Sequence, residues 1–292
     1  MKKGRSDKVQ LVATYKIAGL IVRTLFKHNG IEQEFVGYSV PEMDAVDVIV
    51  EMVDRAHMQT PANLRTIRQD SFKDVSTDGE SYCFSYKKNR RVVCSKLVPG
   101  AKYGPVTVMI YINDTTKLFD VPSLEVRFAI MHPFFVHLLS RGLFPLHSCG
   151  LSLQGKGILI SGDSGSGKSS IGKILVNRYG ATYLGDDVNA CTTDGRVFAM
   201  PFSRVNNNIE APVGAVIFLG TRAGRLRQED VVRQLVESEF GMRWAHASEE
   251  TAKAVAAYLA THTRCFMISR NDQLEGETAA TVLELVFGKG MS

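Results

Sequence analysis

Gly157-Ile158-Leu159-Ile160-Ser161-Gly162-Asp163-Ser164-Gly165-Ser166-Gly167-Lys168-Ser169-Ser170 is the stretch from which the rest of the architecture follows. It opens with an apolar run of strand length, and residues 162–169 match G-x-x-x-x-G-K-[ST] without deviation. An amphipathic helix carrying Ile171, Ile174 and Leu175 comes next, completing the strand, loop and helix setting that this pattern requires. A loop that wraps a polyphosphate turns its backbone N–H groups inward, and Gly162, Gly165 and Gly167 reach those backbone angles without steric penalty. Lys168 then extends to the β- and γ-phosphates, Ser169 offers its hydroxyl to Mg2+, and the helix N-terminus adds partial positive charge. The expected nucleotide-binding residues are Gly162, Asp163, Ser164, Gly165, Ser166, Gly167, Lys168, Ser169 and Ser170, with ATP and Mg2+ as the ligands. The plainer alternative is a flexible Gly/Ser turn with a surface lysine.

Downstream, a helix is expected over Lys168–Arg178, closed by Gly180, and a strand over Thr182–Leu184. Gly185-Asp186-Asp187 stands at the carboxyl end of that strand, where open α/β sheets collect their ligands. One carboxylate there can hold Mg2+ while the other takes a proton from an acceptor hydroxyl. A solvated acidic turn is the bland reading of the same residues. The remaining pattern predicts a hairpin turning at Asp194-Gly195, a buried strand over Val213–Leu219 and helices over Gln228–Phe240 and Glu249–Thr261. A strand over Arg264–Ser269 and a last helix near Thr278–Phe287 complete an α/β domain. Arg204, which follows the hairpin in Pro201-Phe202-Ser203-Arg204, is a candidate for neutralising transition-state charge, with an ordinary surface arginine as the alternative.

Upstream, Leu146–Leu153 reads as a strand that carries His147 and turns at Gln154-Gly155-Lys156-Gly157. A long apolar helix runs from Val121 to Leu143, with Pro133 expected to kink or restart it. Before it, strands are expected at Leu11–Leu25, Val46–Val53, Tyr82–Tyr86 facing Arg91–Leu97, and Val106–Ile112. The chain therefore divides into residues 1–121, mostly β and structural or substrate-recruiting, and 122–292, which hold the chemistry.

With 292 residues, 45% of them apolar, the chain buries a core without staples. Cys83, Cys94, Cys149, Cys191 and Cys265 lack the short spacings of metal or redox motifs and read as buried thiols of a cytosolic protein. The net charge of +5 comes in short groups without aromatic interleaving, which argues against a nucleic-acid partner. No stretch approaches the ~20 uninterrupted apolar residues of a membrane span, so no membrane partner is expected.

Leu146-His147-Ser148-Cys149-Gly150-Leu151, the loop at 162–170 and Gly185-Asp186-Asp187-Val188 together resemble the catalytic core of HPr kinase/phosphorylase, over roughly residues 122–292. The fold of that family is similar to that of phosphoenolpyruvate carboxykinase. The resemblance thus implies a P-loop C-terminal α/β domain of that type beside a smaller, mostly β N-terminal domain. It implies Asp186 as the base for a serine hydroxyl, Asp187 with Ser169 at the metal, Lys168 on the transferring phosphoryl group, and His147 near the acidic pair or the phosphates. Ser170 stands where HPr kinases carry a glutamate. Over its whole length the chain looks more like the HPr kinase-like enzymes encoded beside lasso-peptide genes, in Tyr15-Lys16-Ile17-Ala18-Gly19-Leu20 and Ile268-Ser269-Arg270-Asn271-Asp272. Those enzymes phosphorylate the C-terminal serine of a precursor peptide. The resemblance therefore implies a cytoplasmic ATP-dependent serine kinase acting on a peptide or small protein.

Three other readings stay open: an HPr kinase, a kinase of a small hydroxylated metabolite, and a regulator that senses nucleotide without transferring phosphate. A homo-oligomeric assembly is also compatible with the sequence.

Overall fold

The computed structural model describes residues 13–26, 28–52, 63–69, 73–78, 81–87, 92–98, 100, 105–112, 123–203, 205, 209–220, 223–237, 247–269 and 275–288. These residues form a mixed α/β protein with two sheets and six α-helices, grouped in two compact units, Met1–Phe134 and Phe135–Ser292. The division falls within a helix, later in the chain than the 121/122 boundary read from the sequence.

In the first unit, β1 (Ala13–Ile17) and β2 (Leu20–Thr24) form a hairpin where one strand was expected over 11–25. The break comes at Ala18 and Gly19, whose φ values of 50 and 83 turn the chain back on itself. Next come α1 (Asn29–Phe35), a 3-10 turn at Val36–Tyr38, β3 (Val48–Met52), β4 (Arg65–Gln69), β5 (Lys73–Thr77), β6 (Ser81–Tyr86), β7 (Val92–Val98) and β8 (Val106–Ile112). The sheet order is β1-β2-β3-β8-β7-β6-β5-β4, with β4 to β8 an antiparallel meander.

Register in that meander overturns one expectation. Cys83 lies directly opposite Cys94, with Cα atoms 4.1 Å apart, and the two form a disulfide rather than two free thiols. Their separation of 11 residues carries no metal or redox signal, and only the β6–β7 pairing reveals them as neighbours. Cys149, Cys191 and Cys265 are free and buried, as expected.

Pro133 does not interrupt α2 (Ser123–Ser140). Burial of Ala129, Ile130, Phe134 and Leu138 on either side of it opposes the roughly 3 kcal/mol that an interior proline costs. Among the described residues, no helix is long and apolar enough to cross a membrane.

The second unit continues with β9 (Leu143–Leu153), β10 (Lys156–Ser161), α3 (Lys168–Tyr179), β11 (Thr182–Thr192), β12 (Arg196–Ala199), β13 (Glu210–Gly220), β14 (Gly224–Arg225), α4 (Gln228–Glu237), α5 (Ala247–His262), β15 (Arg264–Ser269) and α6 (Glu275–Phe287). The first residues of β13 pair with β12 and the following ones with β10, so β10, β9, β11, β12 and β13 close into a hydrogen-bonded circuit. β15 lies parallel to β13 on its other side. Apolar side chains pack in two clusters. One joins Phe144, Leu146 and Leu184 to α4 and α5; the other joins Cys149, Leu151, Ile158 and Ile160 to α3 and α6.

Contact between α3 and β9 depends on a missing side chain. A Cβ on Gly172 would stand well inside contact distance of the Cys149 sulfur and about 3.4 Å from the Tyr183 ring. Alanine normally favours a helix by about 1 kcal/mol over glycine. Here the overpacking cost, about 1–3 kcal/mol, outweighs that gain. Gly172→Ala is therefore expected to lower the denaturation midpoint, and Cys149→Ala in the same chain to restore most of it, as read by urea titration of the double-mutant cycle.

Candidate functional site

β10 delivers the chain into the glycine-rich loop, and α3 leads it out. Gly162, Gly165 and Gly167 have φ of 152, 76 and 89, angles that side chains resist, so the loop curls tightly between strand and helix. The Lys168 ammonium is drawn into this curl, where its Nζ donates to the carbonyls of Gly162 and Asp163 at 2.8 Å each. No side chain caps the start of α3, which leaves its first-turn N–H groups for an anion. Ser166 is buried in the loop, and its Oγ has no hydrogen-bond partner among the described residues. A buried hydroxyl without a partner is costly unless something else satisfies it. Asp163, Ser164 and Gly165 are exposed, and Ser170 lies half-buried in the first turn of α3.

The acidic pair is placed differently from the expectation. Asp186 and Asp187 do not follow a short strand; they lie in the middle of the eleven-residue β11, which pairs with β9 along most of its length. Gly185 and the aspartates imitate a turn in sequence, yet pairing with an almost wholly buried neighbour keeps them in the sheet. Asp186 is buried, and its Oδ1 accepts a hydrogen bond of 2.8 Å from Ser169 Oγ. Asp187 is half-buried, and its Oδ1 lies 3.6 Å from His147 Nε2. Ser169 is thus paired with Asp186, and His147 with Asp187.

A regular strand could not present both carboxylates this way. Successive side chains point to opposite faces. Asp186 is registered opposite Cys149, on the face β9 shares between Cys149 and His147, whereas Asp187 is registered opposite Ser148, on the other face. Asp187 nevertheless meets His147. Its φ of 121 accounts for this, because it twists the chain out of the pleat at that residue. Such an angle in a residue other than glycine costs of order 1–3 kcal/mol and persists only where the surroundings enforce it.

The residues hydrogen-bonded around it carry no sequence signal of catalysis. Asn189 is fully buried, and its Nδ2 donates to Ser148 O, Ser148 Oγ and Gly185 O, tying β9 to β11 beside the irregular register at Tyr183 and Gly185. Gly150 makes room for that amide, since a Cβ there would collide with Asn189 Oδ1. Ser203 Oγ donates to the carbonyl of Asp186 at 2.6 Å, and Ser161 Oγ donates to the carbonyl of His147 at 3.0 Å. Cys149 lies behind Asp186 and shares a side-chain hydrogen bond with it; burial, helped by the Asp186 charge, pushes its thiol up, so it keeps its proton.

Gly162 to Ser170, His147, Asp186 and Asp187 therefore gather where β10 ends, against the middle of β9 and β11. Arg204 lies outside the described residues. Among the described residues, no group of three or more His, Cys, Asp or Glu side chains is arranged to hold a metal ion. No family model matches the chain, and no curated protein matches it.

The backbone at Asp187 yields a sign test. At an ordinary strand position glycine is less stable than alanine by about 0.5–1 kcal/mol. At residue 187 the order should reverse, with Asp187→Gly more stable than Asp187→Ala by about 1 kcal/mol in chemical denaturation.

Proposed function

We propose that this chain is an ATP-dependent serine kinase with the P-loop fold of HPr kinase and phosphoenolpyruvate carboxykinase, acting in the cytoplasm on a peptide or small protein. The hydrogen bond from Ser169 Oγ to Asp186 Oδ1 carries this reading, because it joins the glycine-rich loop to the acidic pair. Parallel pairing of β13 with β10 on one side and β15 on the other, and a lysine ammonium held inside the loop, support it further. The C-terminal serine of a lasso precursor as acceptor rests on the resemblance of residues 15–20 and 268–272.

Ser169 Oγ and the Asp186 carboxylate are hard oxygen donors in mutual reach, and they fit Mg2+, which takes one or two such protein ligands beside water and phosphate oxygens. When bound, the ion neutralises charge on the β- and γ-phosphates. Lys168 binds the same oxygens from inside the loop, and the start of α3 offers them N–H groups. Asp187, more open and flanked by His147, takes the proton of the acceptor serine. The serine oxygen forms its bond to the γ-phosphorus as the bond from that phosphorus to the β–γ bridging oxygen breaks, and ADP leaves with the electron pair. This division exchanges the roles that the family resemblance implies for the two aspartates; the Ser169–Asp186 bond favours the exchange.

Incubation with Mg-ATP and a peptide ending in serine should yield a phosphopeptide by mass spectrometry. The same peptide ending in alanine should yield none. Preferred phosphorylation of free serine would favour the metabolite kinase, and nucleotide binding with no product from any acceptor would leave only the nucleotide sensor.

The aspartates separate by kinetics. Asp186→Asn is expected to raise the KM for Mg-ATP tenfold or more on the order expected for a lost charged contact. Asp187→Asn should leave that KM within about twofold and lower kcat by about 10²–10⁴. The opposite pattern would return Asp186 to the role of base.

A further inference from the structure

We propose that Ser203 is a positioning residue of the transfer reaction: its hydroxyl holds the Asp186 carbonyl and thereby fixes the peptide that turns Asp187 toward His147. The inference rests on the kinase reading and extends it to a residue outside the loop, the acidic pair and the histidine.

The Asp186 carbonyl belongs to the peptide linking Asp186 to Asp187, and the φ of 121 at Asp187 is rotation about the bond immediately after that peptide. A hydrogen bond on this carbonyl therefore acts at the point where the chain departs from the pleat. Ser203 supplies it from the turn that follows β12, donating at 2.6 Å, and its Oγ also accepts from Val205 N at 3.4 Å. Ser203 is 6% exposed, so water does not compete freely for the bond. Asn189 braces the preceding peptide through Gly185 O at 3.1 Å, but it also ties β9 to β11, and its loss would disturb the sheet generally. Ser203 is the more selective brace. Without its bond the peptide is free to rotate toward an ordinary extended angle, which returns the Asp187 carboxylate toward the Ser148 face and away from His147. Asp186 keeps its own anchor in Ser169, so nucleotide binding should survive while proton transfer suffers.

Full-length protein with Mg-ATP and the serine-ended peptide tests this. Ser203→Ala is expected to lower kcat about tenfold or more while the KM for Mg-ATP stays within about twofold. Ser203→Thr, which keeps the hydroxyl, is expected to recover most of the loss. Unchanged kcat in Ser203→Ala, or equal losses in the alanine and threonine variants, would overturn the assignment.

A second measurement needs no activity and stands even if the kinase reading falls. With Ser203 present, the folding equilibrium constant of Asp187→Gly should exceed that of Asp187→Ala by about fivefold, the reversed order that an enforced positive φ produces. Placed on Ser203→Ala, or on Ser203→Cys if the alanine variant does not fold, the same pair should differ by less than about twofold. An undiminished difference would mean that Ser203 does not hold the peptide, whatever reaction the site performs. Wild-type protein that phosphorylates no serine acceptor would instead sink the kinase reading, and the equilibrium comparison would still decide the role of Ser203.

Discussion

For Ser169 Oγ to reach Asp186 Oδ1, the first turn of α3 must sit against the middle of β11, and much of the second unit serves that approach. α3 can come close only because Gly172 leaves space for the Cys149 sulfur. Cys149 is in place because β9 carries it opposite Asp186, and that register is held by the amide of Asn189 across the two strands. A part-buried hydroxyl-to-carboxylate bond is stronger than a neutral one and tolerates little displacement. The remaining contacts around it read as conditions for keeping that distance.

The second aspartate faces a different difficulty. Two adjacent carboxylates in a strand belong to different faces, and bringing both to one ligand requires either a loop or a distorted backbone. This chain distorts the backbone, and the distortion costs stability where a simple turn would not. A sheet offers rigidity in return. Functional groups on strands are held more closely than groups on loops.

Legibility in the sequence followed the locality of the signal. Residues 157–169 carry strand, turn and helix cues in unbroken order, and the structure has β10, the loop and α3 there. The β6–β7 hairpin, β8 and β15 were similarly plain from alternation. Asp186 and Asp187 stand out in the sequence, but Gly-Asp-Asp imitates a turn and ends the apparent strand at Leu184; the overriding influence, β9, is distant in the chain, with Asn189 registered on Leu146. Cys83 with Cys94, and Asn189 with Ser148, become partners only once strands are aligned, and neither pair has a spacing that marks it beforehand. Ser203 in Pro-Phe-Ser-Arg looks like any turn serine, since its significance lies in a single carbonyl on another strand.

The circuit of strands also bears on how the chain reaches this state. Gly157 pairs with Val213 across an interval that contains α3, β11 and β12, so the parallel β10–β13 ladder cannot form until the intervening chain has been gathered. Ladders between residues so far apart incur their loop-closure entropy early and form slowly. The glycine-rich loop follows β10 directly, whereas its acidic counterpart depends on β9 and β11 having paired. In a growing chain the glycine-rich turn has its local cues at once, whereas the bond from Ser169 to Asp186 has to wait for the sheet to close.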